Sequence, residues 1–234
     1  MQGVAITIPT YNEVENIQKL IPAIKQIHPT IRIFVIDDNS PDGTADVVRQ
    51  LKQDFPGVDL FSRPCKQGLA AAYLDAFEKV LADPAVQCVV TMDGDLSHRP
   101  QDLGRLLAGL STADLVVGSR YVRGGAIENW NLWRRALSRY GNVYARWVTG
   151  IPVRDLTGGF VIYRRHVLEK ILHHRVMSRD YAFQIEMKYL AHQDGARIVE
   201  VPITFCDRGG GVSKLERGVV WEGILRPWHL RFKR

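Results

Sequence analysis

The stretch VQCVVTMDGDLSHRP, Val86 to Pro100, joins an apolar run to a pair of carboxylates and a predicted helix start. The apolar run is typical of a strand that is buried on both faces of a parallel sheet. Asp93 and Asp95 follow the run directly. At pH 7 both carboxylates are ionised, and at this spacing they repel each other unless a cation or strong donors lie between them. The stretch therefore predicts a positively charged ligand at the end of a buried strand.

Strands and helices alternate along the first half of the chain, on both sides of this stretch. Apolar runs predict strands at 4–8, 31–38, 86–93 and 114–120, and helical spacing of apolar residues predicts helices over 13–27, from Ser40 onward, over 68–81 and over 100–110. The segment 59–64 has no assignment. This alternation predicts an α/β fold with a mostly parallel, Rossmann-like sheet flanked by helices.

Three polar loops follow predicted strands, namely PTYNE (9–13), DDNSPDGT (37–44) and DGD (93–95). Ligands of a doubly wound sheet bind beyond the carboxyl ends of its strands, so we expect these loops to line one crevice. Carboxylates suit Mg²⁺ or Mn²⁺ bound together with a diphosphate, because both ions prefer hard oxygen ligands. A turn that caps the next helix is the other interpretation of the DGD loop.

The first two loops have the same two interpretations. Asp37 and Asp38 can bind a base or a ribose, or they can close a turn that caps the next helix, and for Asp42 we expect the cap. Tyr11 can stack on a nucleotide or belong to the core. The chain has no Walker sequence, and no GxGxxG follows its first strand. This argues against phosphate-loop hydrolases and ordinary dinucleotide oxidoreductases.

The charge of the chain is unevenly distributed. Residues 1–119 hold 10 Lys and Arg against 15 Asp and Glu, whereas residues 120–234 hold 21 against 10, so the two halves carry formal charges of −5 and +11. The basic half predicts an anionic partner, for which nucleic acid, a phospholipid surface and a phosphorylated substrate are candidates. Solvated helix faces would explain the same surplus without a partner.

Length, composition and cysteine content indicate one compact domain, or a domain with a substantial appendage, in a reducing compartment. The chain has 234 residues, is 46% apolar and contains three cysteines, an odd number that matches no metal-ligand spacing. We expect neither a secretory signal nor a transmembrane helix, since no basic segment precedes the first strand and no run reaches about 18 apolar residues. These features predict a cytoplasmic protein.

Two segments predict contact with a membrane surface. Residues 129–150 interleave tryptophans and tyrosines with arginines, and residues 224–234 repeat this mixture in a shorter form. Aromatic rings lie at the depth of lipid headgroups, and guanidinium groups meet lipid phosphates there. Ordinary amphipathic packing explains both segments as well. We expect a peripheral protein on the cytoplasmic face of a membrane.

Eight motifs occur in order between about Val4 and Lys214. They are PTYNE (9–13), VIDDNSPDGTADVV (35–48), KQGLAAAY (66–73), MDGDLSHRP (92–100), VVGSRYVRGG (116–125), DLTGGFVIYRR (155–165), YAFQIEM (181–187) and VPITFCDRGGGVSK (201–214). As an ordered set they resemble the family 2 glycosyltransferases of the dolichyl-phosphate (polyprenyl-phosphate) mannose synthase group. The resemblance implies a GT-A (nucleotide-diphospho-sugar transferase) fold. It also implies inverting transfer of a hexose from a nucleotide sugar, typically GDP-mannose, to a polyprenyl phosphate, with Mg²⁺ or Mn²⁺ as cofactor.

The same resemblance implies the residues of the site. The nucleotide contacts that it implies are Pro9, Tyr11, Glu13 and Asp37, with Asp38 nearby. The implied metal and diphosphate site consists of Asp93 and Asp95, joined by Ser97. The implied cations on the acceptor side are Arg120, Arg134, Arg208 and Lys214, with Ser138 among them. We expect a catalytic domain over 1–215, divided into a nucleotide and metal half (1–119) and an acceptor half (120–215). A basic aromatic tail (216–234) follows, and surface contact, an interfacial helix or a small membrane-anchoring subunit would bring the enzyme to its lipid. No nucleic acid partner is expected.

The sequence departs from the group at two places and leaves three alternatives open. Gly158 stands where the group often has Ser, and residues 209–213 are unusually rich in glycine. A UDP-sugar can replace GDP-mannose as donor, and a noncatalytic basic module for RNA or anionic lipid can share the fold. A saccharide hydroxyl acceptor would need a general base, for which Asp155 is the candidate, whereas a polyprenyl phosphate is already an anion and needs none. Asp155 and Glu186 can orient sugar hydroxyls or pair with arginines, and His98 is expected to have no catalytic role.

Overall fold

The structure, a computed structural model, describes residues 3–207 and 217–232. Its strands are β1 (Val4–Thr10), β2 (Arg32–Asp37), β3 (Val58–Ser62), β4 (Cys88–Thr91), β5 (Leu115–Ser119), β6 (Ala126–Glu128), β7 (Val161–Arg164), β8 (Ile198–Pro202) and β9 (Thr204–Cys206). Its helices are α1 (Val14–Ile27), α2 (Thr44–Asp54), α3 (Leu69–Leu81), α4 (Leu103–Gly109), α5 (Leu132–Thr149), α6 (Arg165–Leu172), α7 (Tyr181–Gln193) and α8 (Arg217–Phe232), and a 3₁₀ turn at Pro100–Asp102 precedes α4.

Seven strands form one sheet in the order β3-β2-β1-β4-β7-β5-β8, and β6 pairs with β9 in a separate ribbon. The sheet is mostly parallel, as predicted, since β7 alone runs antiparallel to its neighbours β4 and β5. The buried strands are apolar because helices cover both faces of such a sheet. The carboxyl ends of β2, β1 and β4 are adjacent, so the three polar loops lie at one edge of the sheet.

The helices pack on the sheet through the faces that the sequence predicts. In α1, four of the five apolar residues predicted for one face, Ile17, Leu20, Ile21 and Ile24, are fully buried, whereas Ile27 at the end of the helix is exposed. The edge strand β3 overlaps the segment 59–64, which has no clear strand or helix pattern in the sequence. That strand is short and only half-buried, and for this reason it lacks a continuous apolar run.

The last helix, α8, packs against α5 and α7. The guanidinium of Arg226 donates to Ser178 Oγ at 2.9 Å and to the carboxylate of Glu186 at 3.2 Å, and Leu230 is buried. Glu186 also accepts from the backbone N–H of Ser178 at 2.7 Å. Glu186 therefore joins α7 to the C-terminal helix. Within residues 3–207 and 217–232, no helix has both the length and the apolar character needed to cross a membrane.

Candidate active site

Asp37 holds together the loops that follow β1 and β2. The two oxygens of its buried carboxylate accept from Ser40, from Oγ at 2.5 Å and from the backbone N–H at 3.0 Å, and Ser40 Oγ accepts from the N–H of Asn12 at 3.1 Å. Asp42 reinforces the junction, since its carboxylate accepts from the N–H groups of Val14 and Thr44 at 3.1 and 3.0 Å. Asp42 thus has the capping role expected from the sequence. Asp37 thus holds the two loops of the candidate nucleotide site in place through the turn at Ser40.

Asp38 lies in a buried ion-pair network. The guanidinium of Arg63 donates to Asp38 Oδ1 at 2.5 Å and to Asp75 Oδ2 at 2.8 Å. Burial opposes the charge of Arg63, but the hydrogen bond and the charge of Asp38 outweigh it and raise the pKa of the guanidinium. The Asp38 carboxylate therefore reaches a nucleotide only as part of this pair. This pairing cannot be predicted from sequence spacing, because Asp38 and Arg63 follow the ends of two different strands, β2 and β3.

Pro9, Tyr11 and Glu13 lie at and just after the end of β1, and all three are partly buried. The ammonium of Lys66 lies 4.0 Å from the centre of the Tyr11 ring, so a base that stacks on this face would replace or share that cation. Glu13 accepts from the amide of Asn16 at 2.6 Å, and Pro9 is half-buried near the end of β1. Their positions are compatible with the predicted nucleotide contacts.

The DGD loop and the two residues after it carry three oxygen-bearing side chains just beyond the end of β4, those of Asp93, Asp95 and Ser97. Asp95 Oδ1 accepts from the N–H of Ser97 at 3.0 Å, and both residues are buried. Between them, Leu96 has a φ of +64°, a strained conformation for a branched residue without a polar side chain. This strain accompanies the sharp turn that brings Ser97 against Asp95.

His98 contacts the DGD loop through its imidazole ring. Its Nδ1 accepts from the N–H of Asp93 at 3.1 Å, and its Nε2 lies 3.7 Å from Asp93 Oδ2. The ring stacks on Phe160 at 4.9 Å and meets Phe205 edge-on at 5.6 Å. His98 is thus a positioning residue for Asp93. The sequence signal was its place five residues after the first carboxylate, which alone does not distinguish a support from a surface histidine.

Arg120 and Asp155 form a buried pair beside the carboxylates. Arg120 donates from Nε to Asp155 Oδ2 at 2.8 Å and from Nη2 to Oδ1 at 2.7 Å, and Nη2 also reaches Thr157 Oγ1 at 2.9 Å. Burial opposes the charge of both residues. The carboxylate of Asp155 nevertheless raises the pKa of Arg120, and Asp93 adds a smaller increase. In turn, Arg120 lowers the pKa of Asp155. Asp155 is therefore ionised and weakly basic. This does not favour the general base that a saccharide hydroxyl acceptor would need.

Asn142 connects α5 to the loop of sequence DLTGG (residues 155–159), called the DLTGG loop. Its Oδ1 accepts from the N–H groups of Leu156 and Thr157 at 2.7 and 3.1 Å, and its Nδ2 donates to Thr157 Oγ1 at 3.0 Å. One turn earlier on α5, Ser138 Oγ accepts from the hydroxyl of Tyr121 at 2.7 Å. Ser138 and Asn142 lie four residues apart, so this polar pair on one helix face was a usable sequence signal for Asn142.

Arg134 lies at the start of α5 against aromatic rings. Its guanidinium donates to both oxygens of Asp207 at 2.9 and 3.1 Å and lies 4.2 Å from the centre of the Trp130 ring. Arg120 lies 5.7 Å from the same ring. The structure thus brings Arg120, Arg134 and Ser138 to one side of the crevice. The predicted cations Arg208 and Lys214 lie outside the described residues.

Lys188 fixes the DLTGG loop to α7. Its buried ammonium donates to three backbone carbonyls, those of Gly158 at 2.7 Å, Leu156 at 3.0 Å and Gln184 at 3.2 Å. Burial lowers the pKa of Lys188 to about 7, against the opposing effect of Asp155. A buried lysine in this place was not predicted, because a lysine within a helix ordinarily faces solvent.

The residues of the DGD loop fit a hard divalent cation. Ser97 Oγ is buried and has no hydrogen-bond partner within the described ranges. This oxygen is therefore available to bind a cation. Across residues 3–207 and 217–232, no three His, Cys, Asp or Glu side chains cluster closely enough to hold a metal by themselves. Two carboxylates and one hydroxyl would leave room for diphosphate oxygens in the coordination shell.

The sheet order, the acidic loop after β4 and the arginines opposite it define an α/β nucleotide-sugar transferase of the GT-A class. The model of the family described as "Glycosyl transferase family 2" matches residues 5–172, and the chain belongs to this family. Polyprenol monophosphomannose synthase of Mycolicibacterium smegmatis is 41% identical over 234 residues, which cover 98% of this chain and 88% of that protein. Undecaprenyl-phosphate mannosyltransferase of Micrococcus luteus is 39% identical over 218 residues, with coverage of 93% and 89%.

Solved structures share the fold. Glucosyl-3-phosphoglycerate synthase from Mycobacterium tuberculosis, crystallised with Mn²⁺, UDP and phosphoglyceric acid, superposes with a TM-score of 0.71 and 16% identity, covering 97% of this chain and 78% of that chain. A complex of the same enzyme with Mn²⁺, UDP and glucosyl-3-phosphoglycerate superposes with a TM-score of 0.68 and 18% identity, covering 97% and 80%. The predicted GT-A fold and family 2 membership are confirmed.

Proposed function

We propose that this protein transfers mannose from GDP-mannose to a polyprenyl phosphate, with inversion at the anomeric carbon. The names of its two relatives, a polyprenol monophosphomannose synthase and an undecaprenyl-phosphate mannosyltransferase, support the acceptor and the sugar. The observation that carries the proposal is the buried Arg120–Asp155 pair, which lies next to Asp93 and keeps Asp155 ionised. It places a cation near Asp93, and it leaves Asp155 a weak base, which agrees with an anionic acceptor that needs no general base.

In the proposed reaction, a phosphate oxygen of the acceptor attacks the anomeric carbon of the donor. The new carbon–oxygen bond forms on one face while the bond to the diphosphate breaks on the other, so the nucleoside diphosphate leaves with the bonding electron pair. The acceptor is already ionised, because the second ionisation of a phosphate monoester lies near about pH 6. The protein has therefore to position the two phosphates and stabilise the charge on the leaving group.

We assign the leaving group to the acidic half of the site and the acceptor to the basic half. Mg²⁺ or Mn²⁺ held by Asp93, Asp95 and Ser97 would neutralise the charge on the diphosphate. Arg120, Arg134 and Ser138 would bind the acceptor phosphate together with Arg208 and Lys214, since guanidinium groups can hold two phosphate oxygens at once. Pro9, Tyr11, Glu13 and Asp37, with Asp38, would bind the nucleoside.

We also propose that one surface of α5 and α8 binds an anionic membrane. This aromatic surface consists of Leu132, Trp133, Leu137, Tyr140, Val143 and Trp147 of α5 and Leu225, Trp228 and Phe232 of α8, all exposed. The rings of Trp147 and Trp228 are in contact, with centroids 6.0 Å apart, so the surface is continuous across both helices. Exposed Arg139 and Arg146 supply positive charge for lipid phosphates.

Sugar transfer to a short polyprenyl phosphate in detergent tests the proposal. We expect mannosyl-phosphate lipid from GDP-mannose with Mn²⁺ and none with chelator. Product from UDP-glucose alone would correct both the nucleotide and the sugar and keep the reaction class. Nucleotide binding without lipid product from either donor would contradict the acceptor. Salt-sensitive RNA binding without nucleotide binding would favour the noncatalytic module instead.

A further inference from the structure

Gln184 is a buried amide that the fold leaves without a partner. The residue is 3% exposed, and neither Nε2 nor Oε1 has a hydrogen-bond partner within the part of the chain that the structure describes. Buried amides are almost always paired, because an unpaired donor or acceptor loses its bonds to water without replacement. An amide with both ends unpaired is therefore available to a ligand or a water molecule that supplies a donor and an acceptor.

The Gln184 amide faces the candidate metal site across a glycine. A Cβ atom placed on Gly159 would lie 3.5 Å from Gln184 Nε2 and 3.5 and 3.6 Å from the two carboxylate oxygens of Asp93. The amide and the carboxylate thus border the same small space, which Gly159 keeps open.

The fold holds the amide in place from behind. The backbone carbonyl of Gln184 accepts from Lys188 Nζ at 3.2 Å, and the same ammonium binds the carbonyl of Gly158 at 2.7 Å. The neighbouring Phe183 stacks on Tyr73, with ring centroids 5.8 Å apart. The helix turn that carries Gln184 is therefore fixed to both the DLTGG loop and α3, as expected of a binding group prepared before its ligand arrives.

We propose that Gln184 binds hydroxyl groups of the donor hexose next to the diphosphate held at Asp93 and Asp95. The inference rests on the proposed function, because it places the sugar of a nucleotide sugar in this space. A sugar hydroxyl both donates and accepts and so satisfies both ends of the amide. Phosphate oxygens only accept, and they would leave the amide oxygen facing a negative charge. Gln184 is thus a specificity residue on the sugar side of the site.

Gln184→Leu tests the inference, since leucine has a similar size and no polar atoms. Binding of GDP-mannose and of GDP is measured by calorimetry with Mn²⁺, in parallel with UDP-glucose and UDP, and the melting temperature is measured without ligand. We expect the sugar nucleotide to bind about tenfold more weakly, the affinity for the nucleoside diphosphate to stay the same, and the melting temperature to stay the same or rise. Equal loss for both ligands, no loss for either, or a lower melting temperature would overturn the inference.

The paired ligands separate this inference from the proposed function. If wild type binds UDP-glucose and UDP but not GDP-mannose and GDP, the donor assignment fails. The effect of Gln184→Leu is then measured by comparing its affinities for UDP-glucose and for UDP. If wild type binds no sugar nucleotide at all, both fail. If wild type binds GDP-mannose and Gln184→Leu binds it equally well, the inference alone fails.

Two further variants make the result specific. Gly159→Ala adds a methyl group at ordinary contact distance from Asp93 and Gln184, so the fold accommodates it while the sugar space shrinks. We expect Gly159→Ala to weaken binding of the sugar nucleotide more than binding of the diphosphate. His28→Leu is the matched control, because His28 is also buried with both ring nitrogens unpaired but follows α1, away from the three polar loops. A similar loss in His28→Leu would overturn the assignment to Gln184.

Discussion

The guanidinium of Arg120 and the carboxylate of Asp155 face each other edge to edge, away from solvent. Their side chains are 6% and 0% exposed, and the backbone N–H of Arg120 adds a third hydrogen bond to Asp155 Oδ2 at 2.9 Å. The pair sets the position of a guanidinium whose pKa Asp93 also helps to raise. Its carboxylate is occupied on both oxygens and serves to orient the arginine.

Asp155→Asn should destabilise the protein and reduce transfer together. The substitution leaves the buried guanidinium of Arg120 without its counter-charge, and breaking one side of a buried pair costs about 3–5 kcal/mol. Urea unfolding measures this change in the free energy of unfolding, and the transfer assay measures the turnover. Full activity with unchanged stability would contradict the orienting role of Asp155.

A double variant separates stability from catalysis at the same place. Arg120→Met with Asp155→Leu removes both buried charges and replaces them with apolar groups of similar size, so most of the stability should return. Transfer should stay low, since the cation for the acceptor phosphate is missing. Recovery of transfer in the stable double variant would show that Arg120 does not bind the acceptor.

Asp95→Asn should remove the response to metal. An amide of the same shape lacks the charge that binds a hard cation, and we expect turnover to fall by about 10³-fold. In wild type, Mn²⁺ with GDP should raise the melting temperature, because a ligand that binds only the folded state stabilises it. That rise should be absent in Asp95→Asn.

The control for Asp95→Asn is Asp59→Asn, which changes an exposed carboxylate that pairs with Lys52 at 2.7 Å. An exposed pair of this kind contributes about 1 kcal/mol at most, so activity and metal response should be retained. An Asp95→Asn enzyme that still needs Mn²⁺ for normal turnover would place the metal elsewhere.

Lys188→Met should change how stability depends on pH. The pKa of Lys188 is lowered from 10.5 to about 7 by burial, so between about pH 7 and pH 10 the unfolded chain binds a proton that the folded protein does not. The free energy of unfolding of wild type therefore rises with pH in this window. The slope should exceed that of Lys188→Met by up to about 1.4 kcal/mol per pH unit.

Urea unfolding of both proteins at several pH values between 7 and 10 measures this difference. Other titrating groups are shared by the two proteins and largely cancel in the comparison. Parallel curves would show that Lys188 keeps its ordinary pKa in the folded state.

The acidic half of the site could be predicted from the sequence because its geometry is local. Asp93 and Asp95 follow a buried strand directly, and the ends of adjacent parallel strands meet at one edge of a sheet. Asp37 was also expected at this edge, although its hydrogen bonds to Ser40 are a detail of the turn.

The contacts that position the basic half depend on residues far apart in the chain. Arg120 and Asp155 are 35 residues apart, and no spacing rule links them. Gln184 and Lys188 lie four residues apart on α7, and a polar pair at this spacing ordinarily marks a solvated face. Here the pair is buried because the DLTGG loop covers it. The conformation of that loop cannot be predicted from the sequence.

Trp147→Glu should weaken binding to anionic vesicles without disturbing the fold. Trp147 is 73% exposed, so the substitution removes little packing but places a negative charge in the aromatic surface. We expect at least about tenfold weaker partitioning onto vesicles of phosphatidylglycerol and phosphatidylcholine, measured by sedimentation, and normal transfer to a short acceptor in detergent. Ile27→Glu is the control, since Ile27 is 40% exposed at the end of α1, outside this surface. Equal vesicle binding by Trp147→Glu and Ile27→Glu would exclude the aromatic surface as the membrane contact.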